Sequence, residues 1–526
     1  MASPPVVIAG AGPVGLALAC GLSEHGVASV VLERKPEPSP HSRAPGVLPR
    51  TLEVLRAWGL ADRFLAEGTL VTHPAFWAPG AREPSVTIDL SPLADLTAAP
   101  GLLIIPQNRT EALLREHVRA RGMADVRFGH EVSGFVEHED GVSVSVASSS
   151  GPYQLGGQFL VGCDGAHSTV RRALGWPLEG KTYPTRLMLA DIRLPDARND
   201  VPWPRAALVG NVIHAALRLE PDLWRVLGTI ERHVSDDEAT APASVGYRVE
   251  LLFGTGPFEL AWAEVFRIHC RTSPHFRRGR ILLAGDAAHI NSPAGGQGMN
   301  SGIQDAHNLA WKLARALDGG AREALLASYE EERRPVILGN VDRYTDLLTR
   351  SVLLAPPLLR RAALVAARSA LGQPLLLRRL LRRAAMLDTR YASSLVSGRG
   401  AHLGARAPDG ELSRADGGRL RLLDLVSRRA ALLLFDDGRL PGWSTAAVEP
   451  LIGDVPHVSV YRLLPSARGA AQACDLVDAS GTLWPRWRPL AGSAALVRPD
   501  GHVGWMQARP SAEELRAGVR RALGHP

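Results

Sequence analysis

The sequence predicts an α/β fold with a second, antiparallel sheet inserted into it, and three observations carry that reading. An apolar run, Val6–Ala9, leads through Gly10-Ala11-Gly12-Pro13-Val14-Gly15 into a helical pattern and a second apolar run, Val27–Leu32. That is the strand–helix–strand order of a βαβ unit. A similar junction recurs far downstream, where Ile281-Leu282-Leu283-Ala284 runs into a glycine loop and another helical pattern. Between the two, residues 183–270 carry a series of strand-like segments, as an inserted sheet would.

A chain of 526 residues exceeds one core and predicts two or three domains. Apolar residues are 45% and charged residues 21%, an ordinary globular composition. The net charge is +7, yet the only lysines are Lys35, Lys181 and Lys312, so the positive charge is arginine spread over an alanine-rich background. No nucleic-acid recognition motif accompanies it, and DNA or RNA is not an expected partner. Cys20, Cys163, Cys270 and Cys474 are far apart, which predicts free thiols in a reducing cytoplasm and neither a metal site nor a dithiol pair. No run of ~18 apolar residues predicts a membrane span. The apolar start lacks the basic flank of a secretion signal.

In chain order, the Gly10–Gly15 loop opens a helix through Leu16, Ala19 and Leu22, and Glu33 follows Gly15 by 18 residues. Glycines at this spacing admit a pyrophosphate to the helix N-terminus, and the acid accepts hydrogen bonds from a ribose. The fingerprint leaves FAD and NAD open. Arg43, in the loop Ser42–Gly46, either reaches the nucleotide or is a surface arginine. A helix is predicted from Pro49 through Leu52, Val54, Leu55 and Trp58. Residues 73–105, rich in Pro and carrying Trp77, are candidates to wall a pocket. Gln107 precedes Asn108-Arg109-Thr110-Glu111, read as a capping box for a helix to Arg121.

Glu131–Val161 reads as a β-meander, followed by Asp164-Gly165 and a helix capped by Ser168. His167 and Arg171 fall near that helix start, where surface solvation is the bland alternative. The inserted sheet is predicted from Arg186–Leu194, Ala206–Leu219, Leu223–Glu231, Arg248–Phe253 and Ala261–Ile268. Trp224, Phe253, Trp262 and Phe266 either line a cavity or form ordinary core. The stretch Gly285–Asn300 holds four glycines, Pro293 and Asp286 ahead of a helix patterned by Met299, Ile303, Ala306, Ala310, Leu313 and Leu317. Such a loop brings backbone close to a flat, electron-rich ligand at a helix N-terminus.

After Gly320 the chain is helical and rich in arginine to about Tyr391, broken at Pro356-Pro357 and Gly372-Gln373-Pro374. The leucines of Leu375–Leu381, among Arg378, Arg379, Arg382 and Arg383, are expected to pack on the protein itself rather than on a membrane. Past a boundary near Gly398–Gly418 come strands at Ala431–Phe435 and Val458–Leu463, a hairpin Ala494–Val497/Val503–Met506 and a helix capped by Ser511. With Cys474 alone, this unit cannot run dithiol chemistry, so a scaffold or dimerisation role is expected.

Taken together, Gly10/Gly12/Gly15 with Glu33, Asp164-Gly165 with Arg171, and Gly285-Asp286 with Pro293 and Gly295–Asn300 resemble the class A FAD-dependent aromatic hydroxylases. Gly404–Asp409 and Val497–Val503 resemble the thioredoxin-like tail of the phenol-hydroxylase branch, and the composition resembles actinobacterial enzymes that tailor aromatic polyketides. The resemblance implies a Rossmann-like FAD-binding domain (1–72, 106–182 and 271–345), a substrate domain (73–105 and 183–270), a helical connector (346–397) and a thioredoxin-like domain (398–526). It implies that Gly10, Gly12, Pro13, Val14 and Gly15 hold the FAD pyrophosphate and Glu33 the ribose, with Arg34, Arg43, Gln107 and Arg109 nearby. Asp164 belongs to a motif tied to FAD and NADPH. Gly285 and Asp286 face the ribityl chain, and Pro293, Gly298, Met299 and Asn300 face the isoalloxazine; His289 is expected to be structural. The implied activity uses NAD(P)H and O2 to hydroxylate a bulky aromatic through a flavin C4a-hydroperoxide. Baeyer–Villiger insertion and a non-catalytic flavin carrier are the alternatives. No second Gly-x-Gly-x-x-Gly offers NAD(P)H its own domain. The resemblance leaves the catalytic base unassigned and allows a homodimer.

Overall fold

The computed structural model describes residues 6–525 except 41, 43, 77–82, 85, 196–202, 210–211, 294, 320–321, 355–372, 438–443, 467–472 and 491. The first sheet has the order Arg277–Arg278, Ile281–Leu283, Phe159–Gly162, Val6–Ala9, Ser29–Glu33, Ala124–Phe128. All its pairs are parallel except the Arg277–Arg278 edge. Its central strands are covered on both faces, so Val6-Val7-Ile8 and Ile281-Leu282-Leu283 are apolar without alternation and fully buried. Helices Pro13–Glu24 and Gln297–Leu317 lie side by side over it. Gly21 lets them touch, since a Cβ there would stand 2.7 Å from the Ala310 Cβ. The predicted meander is present as His130–Glu137, Val142–Ser148 and Tyr153–Gly157.

The second sheet runs Arg205–Val209, Val212–Arg218, Leu223–Ile230, Glu179–Arg193, Glu259–Thr272, His289–Ile290, all antiparallel. Its last member comes from the glycine loop after Ile281–Leu283, so that loop stitches the two sheets together. One face of the second sheet buries Met188, Ala190, Ile192, Trp224 and Val226 against Val245, Val249 and Leu252. Those last three belong to a helix, Pro242–Phe253, which corrects the expected strand Arg248–Phe253. Val245, Val249 and Leu252 recur at helical spacing, Pro242 suits the first turn, and Gly254 (φ +82°) ends it. The expected Ala206–Leu219 strand is likewise a pair, Arg205–Val209 and Val212–Arg218.

The N-cap of helix Gln107–Arg121 lies two residues before Asn108, the start of the expected capping box. Pro106 is its N-cap, and the Asn108 carbonyl accepts only from its neighbour's Arg109 N–H (3.0 Å). Within 73–105, Leu102–Ile104 pairs with both Gly46–Val47 and Thr69–Val71. After Arg322 the helix Arg322–Val336 meets Pro335 and loosens into a wider turn at Ile337–Asp342. Leu377 and Leu381 of helix Pro374–Ala384 pack against Leu93 and Leu96, as a helix docked on its own protein does. No helix among the described residues is long and apolar enough to cross a membrane.

The C-terminal unit is a mixed eight-stranded sheet around Ala430–Phe435, which runs parallel to Val458–Leu464 and antiparallel to Ser493–Val497. Both its faces are buried. Leu432 and Leu434 meet Leu515 and Val519 of helix Ala512–Ala522, while Leu433 and Phe435 meet Leu463 and Trp487. Ser511 caps that helix as expected, in a capping box with Glu514.

Candidate functional site

One cavity of about 1010 Å³ runs from the end of Ser29–Glu33, past the mouth of Gly10–Val14 and the glycine loop, to the free face of the second sheet. That is the upper limit for ligand sites. Of the expected residues, Gly10, Gly12, Pro13, Val14, Glu33, Arg34, Gln107, Asp164, Asp286, Pro293, Gly298 and Met299 line it.

At the near end, Gly10 has φ +100° and a Cβ there would lie 2.5 Å from the Cys163 carbonyl oxygen. Gly12 faces open space, with nothing within 4 Å of its Cβ position. The first N–H groups of helix Pro13–Glu24 have no partner within the helix and form an anion site at that opening. Glu33 is held at the rim: the Ala11 N–H donates to Oε2 (2.9 Å) and the Lys35 N–H to Oε1 (3.1 Å). Gly15 does not line the cavity; its missing Cβ lets the helix sit on the strand.

In the middle, Asp164 Oδ2 accepts from the Thr169 (2.7 Å) and Val170 (3.2 Å) N–H groups. Its other oxygen, Oδ1, is buried with no protein donor. A buried acceptor of that kind on a cavity wall fits a ligand hydroxyl. Arg171 is buried, not solvated: its Nη1 donates to the Ala287 carbonyl (3.0 Å), tying this helix to the glycine loop. Burial lowers the pKa of that guanidinium. Gln107 binds the loop after residue 41, accepting from the Ala44 N–H (3.0 Å) and donating its own N–H to Ser42 Oγ (2.8 Å). Arg109 is away from the cavity in an ion pair with Glu67. Arg43 lies outside the described residues.

The glycine loop forms the far wall. Gly285 (φ +60°) packs on Val14, and its N–H donates to Asp305 Oδ2 (3.1 Å). His289 is fully enclosed between Asp305 (2.7 Å) and Asn291 (3.0 Å) and lies off the cavity lining. Burial disfavours its charged form, but Asp305 outweighs this and raises its pKa. Gly296 (φ +65°) is the N-cap of the 21-residue helix Gln297–Leu317, and Gly298 leaves open space before its first turn. Asn300 does not line the cavity. It accepts from the Leu48 N–H (2.9 Å) and donates to the Gly46 (2.9 Å) and Gly296 (2.8 Å) carbonyls, locking two loops to the helix.

On the wall opposite the loop, Trp262 lines the cavity while Trp224, Phe253 and Phe266 do not, and sequence reasoning missed the residues beside Trp262. Strand register sets Leu217, Arg225, Asp191 and Trp262 in one row, and Leu227, Leu189 and Glu264 in the next. Arg225 is 1% exposed, bonds both Asp191 oxygens (2.8 Å each) and donates to the Ser42 carbonyl. Its guanidinium lies 5.8 Å from the Trp262 ring. The signal was a charge between buried neighbours on each strand, Ala190-Asp191-Ile192 and Trp224-Arg225-Val226. Trp224 itself faces the other side, 4.9 Å from Phe253.

The donor set fits FAD. Open glycine positions at two helix N-termini suit a pyrophosphate and a ring edge, and the buried Asp164 acceptor suits a sugar or ribityl hydroxyl. The comparisons agree. Residues 3–344 match the family described as FAD binding domain, and residues 401–526 the aromatic-ring hydroxylase C-terminal family. The chain is 35% identical, over 99% of both chains, to the 12-dehydrotetracycline 5-monooxygenase/anhydrotetracycline 6-monooxygenase of Streptomyces rimosus. It is 33% identical, over 95% of each, to a rifampicin monooxygenase of Streptomyces venezuelae. The structure of aklavinone-11 hydroxylase with FAD and aklavinone superposes with a TM-score of 0.83, at 27% identity over 99% of both chains. The chain therefore belongs to the FAD-dependent aromatic-ring hydroxylases, flavoprotein monooxygenases that use NAD(P)H.

Proposed function

We propose that this chain hydroxylates a polycyclic aromatic phenol of the kind its relatives' names describe. The observation that carries the reading is continuity: a single cavity joins the cofactor cradle to the sheet face of Leu189, Leu217, Leu227 and Trp262. A flat aromatic lying on that face would stand opposite Pro293, Gly298 and Met299. Bound there, FAD supplies reduction by NAD(P)H and activation of O2.

The chain's own residues bind, orient and keep the reaction dry. Gly12 and Val14 would present N–H groups to the pyrophosphate, Gly10 and Pro13 would shape the loop that lets it approach, Glu33 would accept from the ribose, and Arg34 would flank the adenosine end. Gln107, Asp164 and Asp286 serve the chain between the two rings. The N-terminus of Gln297–Leu317 would hold the ring end of FAD, and its dipole would favour negative charge there by up to ~2 kcal/mol. Gly15, Gly285 and Asn300 act one layer behind, by fixing backbone. Arg225 and Asp191 offset each other's charge within the substrate wall, which also carries Glu264. The C-terminal unit is read as a thioredoxin-like scaffold without dithiol chemistry: Cys474 is its lone cysteine and sits 3.4 Å from the Thr445 hydroxyl.

The test is NADPH consumption by the FAD-loaded protein with tetracyclic phenols, and NMR of the product. Substrate-stimulated oxidation yielding a ring hydroxyl is the expected result. A lactone or ester would replace hydroxylation by Baeyer–Villiger insertion, and no stimulation by any polycyclic phenol would contradict the proposal.

A further inference from the structure

Helix Gln297–Leu317 carries, besides its apolar face, a buried polar stripe that the reaction does not use: Ser301, Asp305, Asn308 and Lys312, spaced four, three and four residues apart on one side. Lys312 Nζ meets Glu332 at 2.7 Å, and Arg498 of the C-terminal hairpin meets the same carboxylate at 2.6 and 2.9 Å. Arg498 also binds Asp500 (2.6 Å), and the Asn308 amide donates to both Glu332 and Asp500 at 2.9 Å. Towards the cofactor, Asp305 accepts from Arg333 (2.7 Å) and from the Gly285 N–H (3.1 Å). Arg333 reaches the Tyr391 hydroxyl (3.2 Å), and the Tyr391 ring stacks on His502 at 4.0 Å. Lys312, Glu332, Asp305, Arg333 and Arg498 are 0% exposed, and Asp500 is 1% exposed. Three cations, Lys312, Arg333 and Arg498, face three carboxylates, Asp305, Glu332 and Asp500. Asp500 also holds the other wall, because its carbonyl accepts from Arg50 (2.7 Å), just past the Gly46–Leu48 segment that Asn300 clamps.

We propose that the Asp500-Gly501 turn of the C-terminal unit is a positioning device for the flavin. It fixes the placement of helix Gln297–Leu317, whose first turn is the cofactor's ring cradle, so the C-terminal unit sets cofactor affinity and potential without touching the cofactor. Asn308 and Asp500 are positioning residues. Geometry favours such a long-range effect because the buried cations and carboxylates are bonded to one another from three separate segments, which resists sliding of the helix anchored in them. The inference rests on the FAD site proposed above.

The experiment uses the full-length chain and its Asn308→Ala, Asp500→Asn and Leu476→Ala variants. Leu476 is buried in the C-terminal core on the face away from this cluster, so its loss destabilises the unit by another route. The FAD dissociation constant, the midpoint potential of the bound flavin and the melting temperature of the apoprotein are measured for each. Expected are a rise of about tenfold in the constant and a more negative potential in Asn308→Ala and Asp500→Asn. Leu476→Ala is expected to melt lower with both flavin values unchanged. If Asp500→Asn does not fold, Asn308→Ala decides. Parent-like flavin values in Asn308→Ala, or equal changes in Leu476→Ala, would overturn the proposal. A parent chain that binds no FAD would overturn the cofactor site itself.

Discussion

Replacing Glu332 by alanine is expected to cost about 3–5 kcal/mol of folding stability, read from denaturant or thermal unfolding. The carboxylate sits between Lys312 (2.7 Å) and Arg498 (2.6 and 2.9 Å) with no exposure. Removing it takes from buried Lys312 its carboxylate partner and leaves Arg498 with Asp500 alone, so the desolvation penalty is no longer offset. A loss below ~1 kcal/mol, the range of a surface pair, would contradict this account. The same group gives the parent an acid dependence. Burial pushes the Glu332 pKa up, but Arg498 and Lys312 outweigh it and hold it at about 2, below its ordinary 4.5. Its contribution is therefore complete above pH 4.5 and is lost as pH falls from there towards 2. Glu332→Ala should flatten the stability profile across that window.

Gly15→Ala is expected to damage both the fold and the cofactor site. A Cβ at Gly15 would lie 1.9 Å from the Gly10 carbonyl oxygen and 3.3 Å from Ile8 Cγ2. The first of these is backbone of the pyrophosphate loop, so the helix must lift off the strand. Overpacking of this kind costs about 1–3 kcal/mol. With the loop displaced, FAD affinity should fall roughly a hundredfold, about 2.7 kcal/mol. Gly12→Ala separates the two effects. Gly12 has φ −75° and open space at its Cβ position, so that methyl should weaken FAD binding while the apoprotein melts like the parent. A Gly15→Ala chain with parent-like melting and FAD affinity would contradict the assignment.

The cofactor end was legible because close approach of backbone to a ligand demands particular residues at particular spacings. Gly10, Gly12, Glu33 and the Gly285–Met299 loop announce themselves in a single sequence, and the cavity runs along them. The substrate end was not legible. Whether Arg225 or Trp224 faces the ligand depends on which side of the sheet is covered by Pro242–Phe253, and that helix was itself misread as a strand. A short, mostly apolar stretch such as Val249-Glu250-Leu251-Leu252 fits either period, and only Pro242 and Gly254 decide it. The polar stripe Ser301–Lys312 was visible but had no partner within reach of local reasoning. Glu332 comes from the next helix and Arg498 from a hairpin 186 residues beyond Lys312. Arg109 shows the opposite error: a motif position two residues after Gln107 whose guanidinium turns to Glu67.

In the proposed arrangement one cavity holds the flavin ring and an aromatic substrate face to face. A crystal structure of the chain with FAD and a tetracyclic phenol tests it directly. The expected density places the isoalloxazine against Pro293, Gly298 and Met299, the ribose at Glu33, and the polycycle between the flavin and Leu189, Leu227 and Trp262. A polycycle bound outside that sheet face, or an adenosine end away from Glu33, would contradict the account.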